Sequence, residues 1–111
     1  MGSFKISKQS NGEYYFNLLA GNGQVILTSE SYGTKANCLN GIESVKINSR
    51  HEDRFETLTS KDGRPYFVLK AVNGKIIGNS QMYGSAESCK SGIESVMKNG
   101  PKAEIEKENE D

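Results

Sequence analysis

The chain contains one sequence motif twice. A shift of 51 residues, without a gap, lays residues 4–49 on residues 55–100, and 19 of the 46 aligned positions are identical. The longest block, Gly41–Val45, recurs letter for letter as Gly92–Val96. Self-similarity at a fixed period indicates one structural unit present twice. Because 111 residues suit a single compact domain, we expect one domain over residues 1–107 and a frayed acidic tail at 108–111.

Each repeat opens with hairpin signals. Asn-Gly or Asp-Gly pairs stand at 11–12, 22–23, 62–63 and 73–74, between runs rich in β-formers. Tight hairpin turns need positive φ, which these residues adopt at little cost. The pattern predicts strands at about 4–9, 13–20 and 24–29, and again at about 54–60, 64–71 and 75–80. Side chains alternate along a strand, so Phe16, Leu18 and Ala20 share one face, as do Phe67, Leu69 and Ala71.

A helical period follows in both repeats. Thr34 and Ser85 are good N-cap residues, and the spacing predicts helices over about 34–47 and 85–98. Apolar and small residues at i, i+3, i+4 and i+7 form the expected core stripes: Cys38, Gly41, Ile42 and Val45, then Cys89, Gly92, Ile93 and Val96. We expect Gly41 and Gly92 to permit close helix–sheet approach. Asn99-Gly100-Pro101 predicts a helix stop with a left-handed residue, and a short last strand follows.

One unit of about 50 residues is marginally stable alone, because it has one sheet face and one helix stripe to bury. Two units that share a sheet would form a continuous core. The predicted fold is therefore α+β: a mainly antiparallel sheet, two helices on one of its faces, and pseudo-twofold symmetry. Since the duplication already supplies the pairing partner, we expect a monomer.

With its repeats aligned, the chain resembles the YegP-like family of small bacterial and archaeal proteins of uncharacterised function. The resemblance rests on residues 15–23 with Ser29-Glu30-Ser31-Tyr32, on their second copy at 66–74 and 80–83, and on the Gly-Ile-x-Ser-Val blocks. It implies a β3-α-β unit, present as a tandem pair, in which the strand after each helix crosses to the partner unit. These strands would be about 54–58 and 102–107. The resemblance transfers no catalytic residue.

No catalytic constellation is visible in the sequence. His51, the only histidine, lies in a polar linker without a nucleophile or orienting group nearby. One His and two distant Cys do not form a zinc pattern, so we predict no metal, no cofactor and no enzyme. Cys38 and Cys89 are interpreted as small core residues, and a thiol-based enzyme is the third and weakest hypothesis. Glu43 and Glu94 are interpreted as solvated helix-face acids, and Gly21-Asn22-Gly23 as a hairpin turn.

The face of the sheet opposite the predicted helices is the part of the chain that most strongly suggests a binding site. It should carry Tyr15 and Asn17 from one repeat and Tyr66, Val68 and Lys70 from the other. The leading hypothesis is a non-catalytic binding or structural module that uses this open face for a ligand or a protein partner. The alternative is weak binding of single-stranded nucleic acid, with bases stacked on Tyr15 and Tyr66 and phosphates near Lys5, Lys8, Arg64 and Lys70. That tyrosines simply favour strands is the competing structural interpretation.

Charge and composition limit the partners. The 14 basic and 14 acidic residues give a formal net charge of zero, which does not favour bulk attraction to nucleic acid or anionic lipid. The charges are unevenly placed, because residues 104–111 carry a net −4 and residues 1–103 a net +4. No stretch suits a signal peptide or a membrane span, and two cysteines without a secretory signal suggest reduced thiols. We therefore predict a cytoplasmic protein without membrane contact.

Overall fold

Each repeat folds into three antiparallel strands followed by a helix, in a computed structural model that describes residues 2–106. The proposed tail at 108–111 lies outside the described residues. The first repeat contains β1 (Ser3–Lys8), β2 (Tyr14–Leu19), β3 (Val25–Ser29) and α1 (Lys35–Asn48). The second contains β4 (Phe55–Thr59), β5 (Pro65–Lys70), β6 (Ile76–Asn79) and α2 (Ala86–Asn99), and β7 (Glu104–Ile105) follows. The predicted α+β tandem repeat is confirmed.

The two repeats share one seven-stranded sheet in the order β4-β5-β6-β3-β2-β1-β7. They join where β3 pairs antiparallel with β6, with Thr28 beside Asn79. All neighbouring strands are antiparallel except β1 and β7, which run parallel. The strand after each helix lies in the half of the sheet formed by the other repeat's strands, as the family resemblance implied. β4 is itself the first strand of its repeat, whereas β7 crosses the molecule to reach β1.

The four predicted hairpin glycines adopt the backbone conformation that a tight turn requires. Gly12, Gly23, Gly63 and Gly74 have φ between 84° and 88°, a region that L side chains rarely enter. Asn22 and Asn73 reinforce their turns, since each side-chain oxygen accepts a hydrogen bond from the backbone two residues on, at 3.0 Å. Local turn chemistry therefore fixes the register of the hairpins.

Both helices pack on the same face of the sheet and bury the predicted stripes, except that Ile93 is only half-buried. The core includes Phe4, Phe16 and Leu18 from the first repeat, Phe67 and Leu69 on β5, and both cysteines, while Phe55, the equivalent of Phe4, is only half-buried. Gly41 and Gly92 do permit close approach, and their partners are tyrosines. Tyr32 stacks on Phe16 and lies against Gly41, while Tyr83 stacks on Phe67 and lies against Gly92. A Cβ at either glycine would collide with the tyrosine ring.

The helix starts follow the sequence prediction, and one helix end does not. Thr34 and Ser85 cap their helices by accepting hydrogen bonds from the N–H groups of Asn37 and Ser88, both at 3.1 Å. Gly100, in contrast, stays right-handed, with φ −56° and ψ −50°, so the predicted left-handed cap is wrong. Gly100 instead lies against Ser49, and the Oγ of that serine would meet a Cβ added at residue 100.

On the helix side of the sheet, two pairs of equivalent residues touch each other, and the members of each pair differ. Ser49 and Gly100 are equivalent under the 51-residue shift, and they meet where the two helices end. Gly78 is the equivalent of Leu27, and a Cβ at Gly78 would lie 3.2 Å from the Leu27 side chain. Residues that meet their own equivalent lie close to the pseudo-twofold axis. In each of these two pairs one member is glycine and the other carries a side chain, so the sequence symmetry is broken there.

Candidate functional site on the open face of the sheet

The face of the sheet opposite the helices carries a row of residues that crosses both repeats. Cross-strand pairing places Asn17 beside Thr28, Thr28 beside Asn79, and Asn79 beside Val68. The row is pseudo-symmetric, because the 51-residue shift relates Asn17 to Val68 and Thr28 to Asn79. Asn17 donates a hydrogen bond from Nδ2 to the Thr28 hydroxyl at 2.9 Å. Half-buried amide and hydroxyl groups therefore occupy the middle of a face that no second layer of the described chain covers.

Lys5 and Glu56 extend this row at its two ends. Lys5 is the cross-strand partner of Asn17, and Glu56 is the partner of Val68. They are equivalent positions with opposite charge. Glu56 forms an ion pair with Lys70, which lies next to Val68 on the same face. The row thus has an exposed lysine at one end and a paired acid at the other.

Val68 differs from the expectation for a ligand contact. It points to the open face, since it alternates with the core residues Phe67 and Leu69, yet it is only 3% exposed. It lies between its cross-strand partners Glu56 and Asn79 and beside the Lys70–Glu56 ion pair. With so little exposed surface, Val68 offers few direct contacts to a ligand, and its role in binding stays a prediction.

Tyr15 and Tyr66 share the open face without forming a pair. β2 and β5 are separated by β3 and β6 and run in opposite directions. The two tyrosines therefore lie on opposite sides of the polar row, each two residues before it. Ordinary sheet spacing puts them about 14 Å apart across the strands and about 13 Å apart along them. Both are half-buried, and they flank the row at diagonal corners.

Most basic groups predicted to accompany the tyrosines have partners within the chain. Lys8 lies 5.7 Å above the ring of Tyr14, on the helix side of β2. Arg64 contacts Asp62 at 2.8 Å, and a hydrogen bond from Ser60, then the charge of Arg64, lower the pKa of that carboxyl group. Lys70 is held by Glu56. Lys5 is the basic group that the open face presents most directly.

The two cysteines lie in the core, each on its own helix. Burial raises the pKa of the Cys89 thiol, and a hydrogen bond with Thr57 opposes the shift only in part. A nucleophilic cysteine needs a lowered pKa, so the geometry at Cys89 supports its interpretation as a core residue. Tyr32 and Tyr83 also have raised pKa values, caused first by burial and then by the neighbouring Cys38 and Cys89.

Two clefts related by the pseudo-twofold lie between the later turns of each helix and the hairpin turn of the other repeat. The first, about 560 Å³, is lined by Gly21, Glu94, Lys98 and Lys102 among others. The second, about 480 Å³, has Val72, Glu43, Ile47 and His51 at the equivalent positions. Lys98 and Lys102 of the first cleft correspond to Ile47 and His51 of the second. The two clefts therefore differ in their chemistry and do not form two copies of one ligand site.

The described residues were also searched for a metal-binding cluster and for a membrane-spanning helix. Within residues 2–106, no group of three or more His, Cys, Asp and Glu side chains is arranged to hold a metal ion. Neither 14-residue helix is long and apolar enough to cross a membrane. The site that remains for consideration is the open face, with Asn17, Thr28 and Asn79 at its centre.

The fold and site define a tandem-repeat α+β protein with one sheet face that residues 2–106 leave uncovered, and comparison with known proteins gives its family. A domain of unknown function, DUF1508, matches residues 9–56 and again residues 60–106. The UPF0339 protein YegP of Yersinia pestis is 50% identical over 100 residues, covering 90% of this chain and 89% of the relative. A UPF0339 protein of Pseudomonas aeruginosa is 43% identical over 105 residues, covering 95% and 96%. The chain belongs to the DUF1508 family.

Solved structures of relatives share the fold. The solution structure of a UPF0339 protein from Shewanella oneidensis matches with a TM-score of 0.88 at 50% identity, covering 95% of this chain and 89% of the other. That of YegP from Escherichia coli, described as a protein of unknown function, matches with a TM-score of 0.89 at 48% identity, covering 95% and 90%. The family is uncharacterised, so membership establishes the fold and the duplication and assigns no activity.

Proposed function

We propose that the protein is a non-catalytic binding module that holds a small polar ligand or a partner's polar surface on the open face of its sheet. The observation that carries the proposal is the row of Asn17, Thr28 and Asn79, whose amide and hydroxyl groups lie half-buried on a face that no other layer of residues 2–106 covers. Hydrogen-bonding groups fixed on strands are well placed for recognition, because the sheet holds them rigidly.

The surroundings of the row support recognition of an uncharged or weakly charged ligand. Lys70 is neutralised by Glu56 on one side, and Lys5 is exposed on the other. Tyr15 and Tyr66 provide aromatic edges at two corners, and an aromatic ring with a hydroxyl can pack and donate a hydrogen bond at once. The helix face, by comparison, carries most of the buried core.

Single-stranded nucleic acid is the second candidate ligand, and the geometry supports it less. Successive stacked bases require aromatic rings near one another, whereas Tyr15 and Tyr66 lie on opposite sides of the row. Three of the four basic residues near them have partners within the chain. We also expect the chain to act as a monomer, because β3 and β6 already join the two repeats.

The test is a titration of the ¹⁵N-labelled protein with water-soluble fragments that carry amide, hydroxyl and aromatic groups. Hits should shift the amide signals of Asn17, Thr28 and Asn79. The double variant Tyr15→Ala, Tyr66→Ala should lose these shifts while keeping its fold. Val72→Ala, at an exposed hairpin-turn position away from the face, is the matched control and should respond like the wild type. Fragment binding that the double variant retains would remove the tyrosine-flanked face as the site.

A ten-residue oligothymidylate at low salt separates the two candidates. Binding that weakens steeply as salt rises would indicate phosphate contacts and favour nucleic acid. A flat titration, together with fragment shifts at the polar row, supports the leading proposal.

A further inference from the structure

The two clefts beside the helices contain the same amide side chain. In the cleft of about 480 Å³, here called the Arg54 cleft, Asn48 is 5% exposed and donates from Nδ2 to the backbone carbonyl of Ser44 at 2.8 Å. In the other cleft, Asn99 donates in the same way to Ser95, also at 2.8 Å. The two pairs are equivalent under the 51-residue shift, so this amide belongs to the repeated unit and not to one cleft alone.

The Arg54 cleft adds a guanidinium group to this amide. Arg54 is half-buried, lines the cleft and donates a hydrogen bond from Nη1 to Asn48 Oδ1. The residue equivalent to Arg54 is Ser3, so a guanidinium group has no counterpart at that position of the other cleft. Because Asn48 is buried and is itself held by Ser44, it fixes the position of the guanidinium group within the cleft.

The positive charge of Arg54 is not neutralised within the cleft. An arginine side chain has five N–H donors, and the hydrogen bond to Asn48 uses one of them on an uncharged partner. Glu43 also lines the cleft, and its carboxylate forms an ion pair with Lys46 at 3.7 Å. Among residues 2–106, no carboxylate forms an ion pair with Arg54. The cleft therefore offers a guanidinium group, with donors to spare, to an acceptor from outside the chain.

Exposed apolar side chains line the same cleft. Ile47 and Val72, which are 59% and 81% exposed, are the two most exposed large hydrophobic residues in the described part of the chain, and both line the cleft with Ala71. Their equivalents in the other cleft are Lys98 and Gly21. The repeated fold therefore does not require an apolar side chain at either position. Exposed apolar groups that gather in one place indicate a binding surface.

We propose that the Arg54 cleft binds a small aliphatic monocarboxylate. The carboxylate accepts hydrogen bonds from the Arg54 guanidinium group, whose planar donors match two carboxylate oxygens, and the aliphatic body packs on Ile47 and Val72. A volume of about 480 Å³ lies within the range of small-molecule sites. The site is separate from the open face, and its ligand needs a negative charge, which the ligand proposed for that face does not require.

An acid and its amide test the charged part of the site on the whole ¹⁵N-labelled chain at neutral pH. The acid is 4-methylpentanoate, and 4-methylpentanamide has the same aliphatic body without the charge. We expect the acid to shift the backbone amide signals of Ile47, Asn48 and Val72 and the Nε–H signal of Arg54. It should bind about tenfold or more tightly than the amide, because hydrogen bonds between charged groups are the stronger ones. Equal affinities, or no shift of these signals, would overturn the proposal.

Acetate and the variant Ile47→Ser test the apolar part of the site. Acetate keeps the carboxylate and lacks most of the aliphatic body, so the wild type should bind it about fivefold or more weakly than 4-methylpentanoate. Ile47→Ser should narrow this difference, and it should keep the fold because Ile47 is largely exposed. Equal binding of the two acids by the wild type would overturn the assignment of an aliphatic ligand.

Two arginine variants separate a built site from general charge attraction. Arg54→Ser introduces the residue found at the equivalent position 3 and should weaken binding of 4-methylpentanoate about tenfold or more. Arg50→Ser removes the same charge from an exposed side chain outside the cleft lining, so it should bind like the wild type. Equal weakening by both variants would overturn the proposal. N-acetyl-glycyl-glycyl-leucine carries the same carboxylate and branched group on a peptide, and binding of this peptide without binding of the free acid would overturn the small-molecule assignment.

Discussion

The two faces of the sheet differ in how closely the repeats agree. On the helix side, equivalent residues are mostly identical, as in Phe4/Phe55, Phe16/Phe67, Leu18/Leu69, Cys38/Cys89 and Tyr32/Tyr83. On the open side most pairs differ, as in Lys5/Glu56, Asn17/Val68, Leu19/Lys70 and Thr28/Asn79, and Tyr15/Tyr66 is the identical pair.

The difference in sequence agreement follows from what each face must do. A close-packed core has few solutions, so two copies of the unit keep the same residues wherever the same space must be filled. The open face has no such constraint, and its two halves have become chemically distinct. A ligand on that face therefore meets one asymmetric surface, not two copies of a half-site.

The largest expected contrast between the two faces is in the stability lost when adjacent residues of β2 are changed to alanine. Phe16→Ala removes a fully buried ring and should lower the free energy of unfolding by about 3–5 kcal/mol. Tyr15→Ala, one residue away on the open face, should cost about 1 kcal/mol, since it loses mainly cross-strand contacts. Urea unfolding of both variants measures the contrast. Equal losses would mean that the open face also carries the stability of the fold.

The glycines of the helices give the next largest effect. Gly92→Ala should destabilise the protein by about 1–3 kcal/mol, because the new Cβ collides with Tyr83 and Phe67. This result is opposite to the gain of about 1 kcal/mol that alanine normally brings within a helix. Gly84→Ala is the control, since nothing lies within 4 Å of a Cβ there and its φ is not positive. A stabilised Gly92→Ala variant would show that the tyrosine does not depend on this glycine.

A repeated serine network should give a similar or slightly smaller effect. Ser29 Oγ accepts a hydrogen bond from the buried Phe16 N–H at 2.8 Å, and Ser80 does the same for Phe67 at 2.9 Å. Ser29→Ala and Ser80→Ala each leave a buried donor without its partner, which costs about 1–3 kcal/mol. Thermal unfolding of the two variants should show losses of similar size. A loss in one repeat alone would break the equivalence of the two core halves.

Stability should also decrease at high pH because of groups on the helix side. Burial raises the pKa values of Tyr32, Tyr83 and Cys89 in the folded protein. A raised folded pKa adds stability below the unfolded value, about 10 for tyrosine and about 9 for cysteine, and that stability is lost as pH rises through the folded pKa. The double variant Tyr32→Phe, Tyr83→Phe should show a shallower decline above pH 10 in urea midpoints. An unchanged slope would contradict the assigned burial.

The smallest effect is expected at the pseudo-twofold axis. The buried Ser49 hydroxyl has no hydrogen-bond partner among the described residues, so Ser49→Ala should change the free energy of unfolding by less than about 0.5 kcal/mol. Gly100→Ala is the contrasting variant, because its Cβ would collide with Ser49 Oγ and the Val96 carbonyl. Calorimetry of the two variants tests whether the space between residues 49 and 100 admits a single side chain.

Much of the fold follows from the sequence because its determinants are local or repeated. Asn-Gly turns, helix caps and the Cys-x-x-Gly-Ile stripes act within a few residues, and the duplication predicts a shared sheet. The parts that differ from prediction depend on tertiary contacts that no local sequence pattern shows. The helix glycines face tyrosines nine residues earlier in the chain, and Gly100 is set by Ser49 across the axis.

The candidate site was predicted less completely than the fold. The sequence indicates which residues point to the open face, because strand side chains alternate. It does not give the order of strands, which depends on β3 meeting β6 and which separates Tyr15 from Tyr66. Thr28 and Asn79 were missed for the same reason, since their positions at the centre of the face exist only once the repeats are joined.

The most direct test of the division between the two faces is chemical-shift mapping of the fragment panel on the unmodified chain. The account predicts that perturbed amides cluster around Asn17, Thr28 and Asn79, with signals of the helix-side core unchanged. Perturbations that cluster in the two clefts beside the helices, or that appear nowhere on the open face, would contradict it.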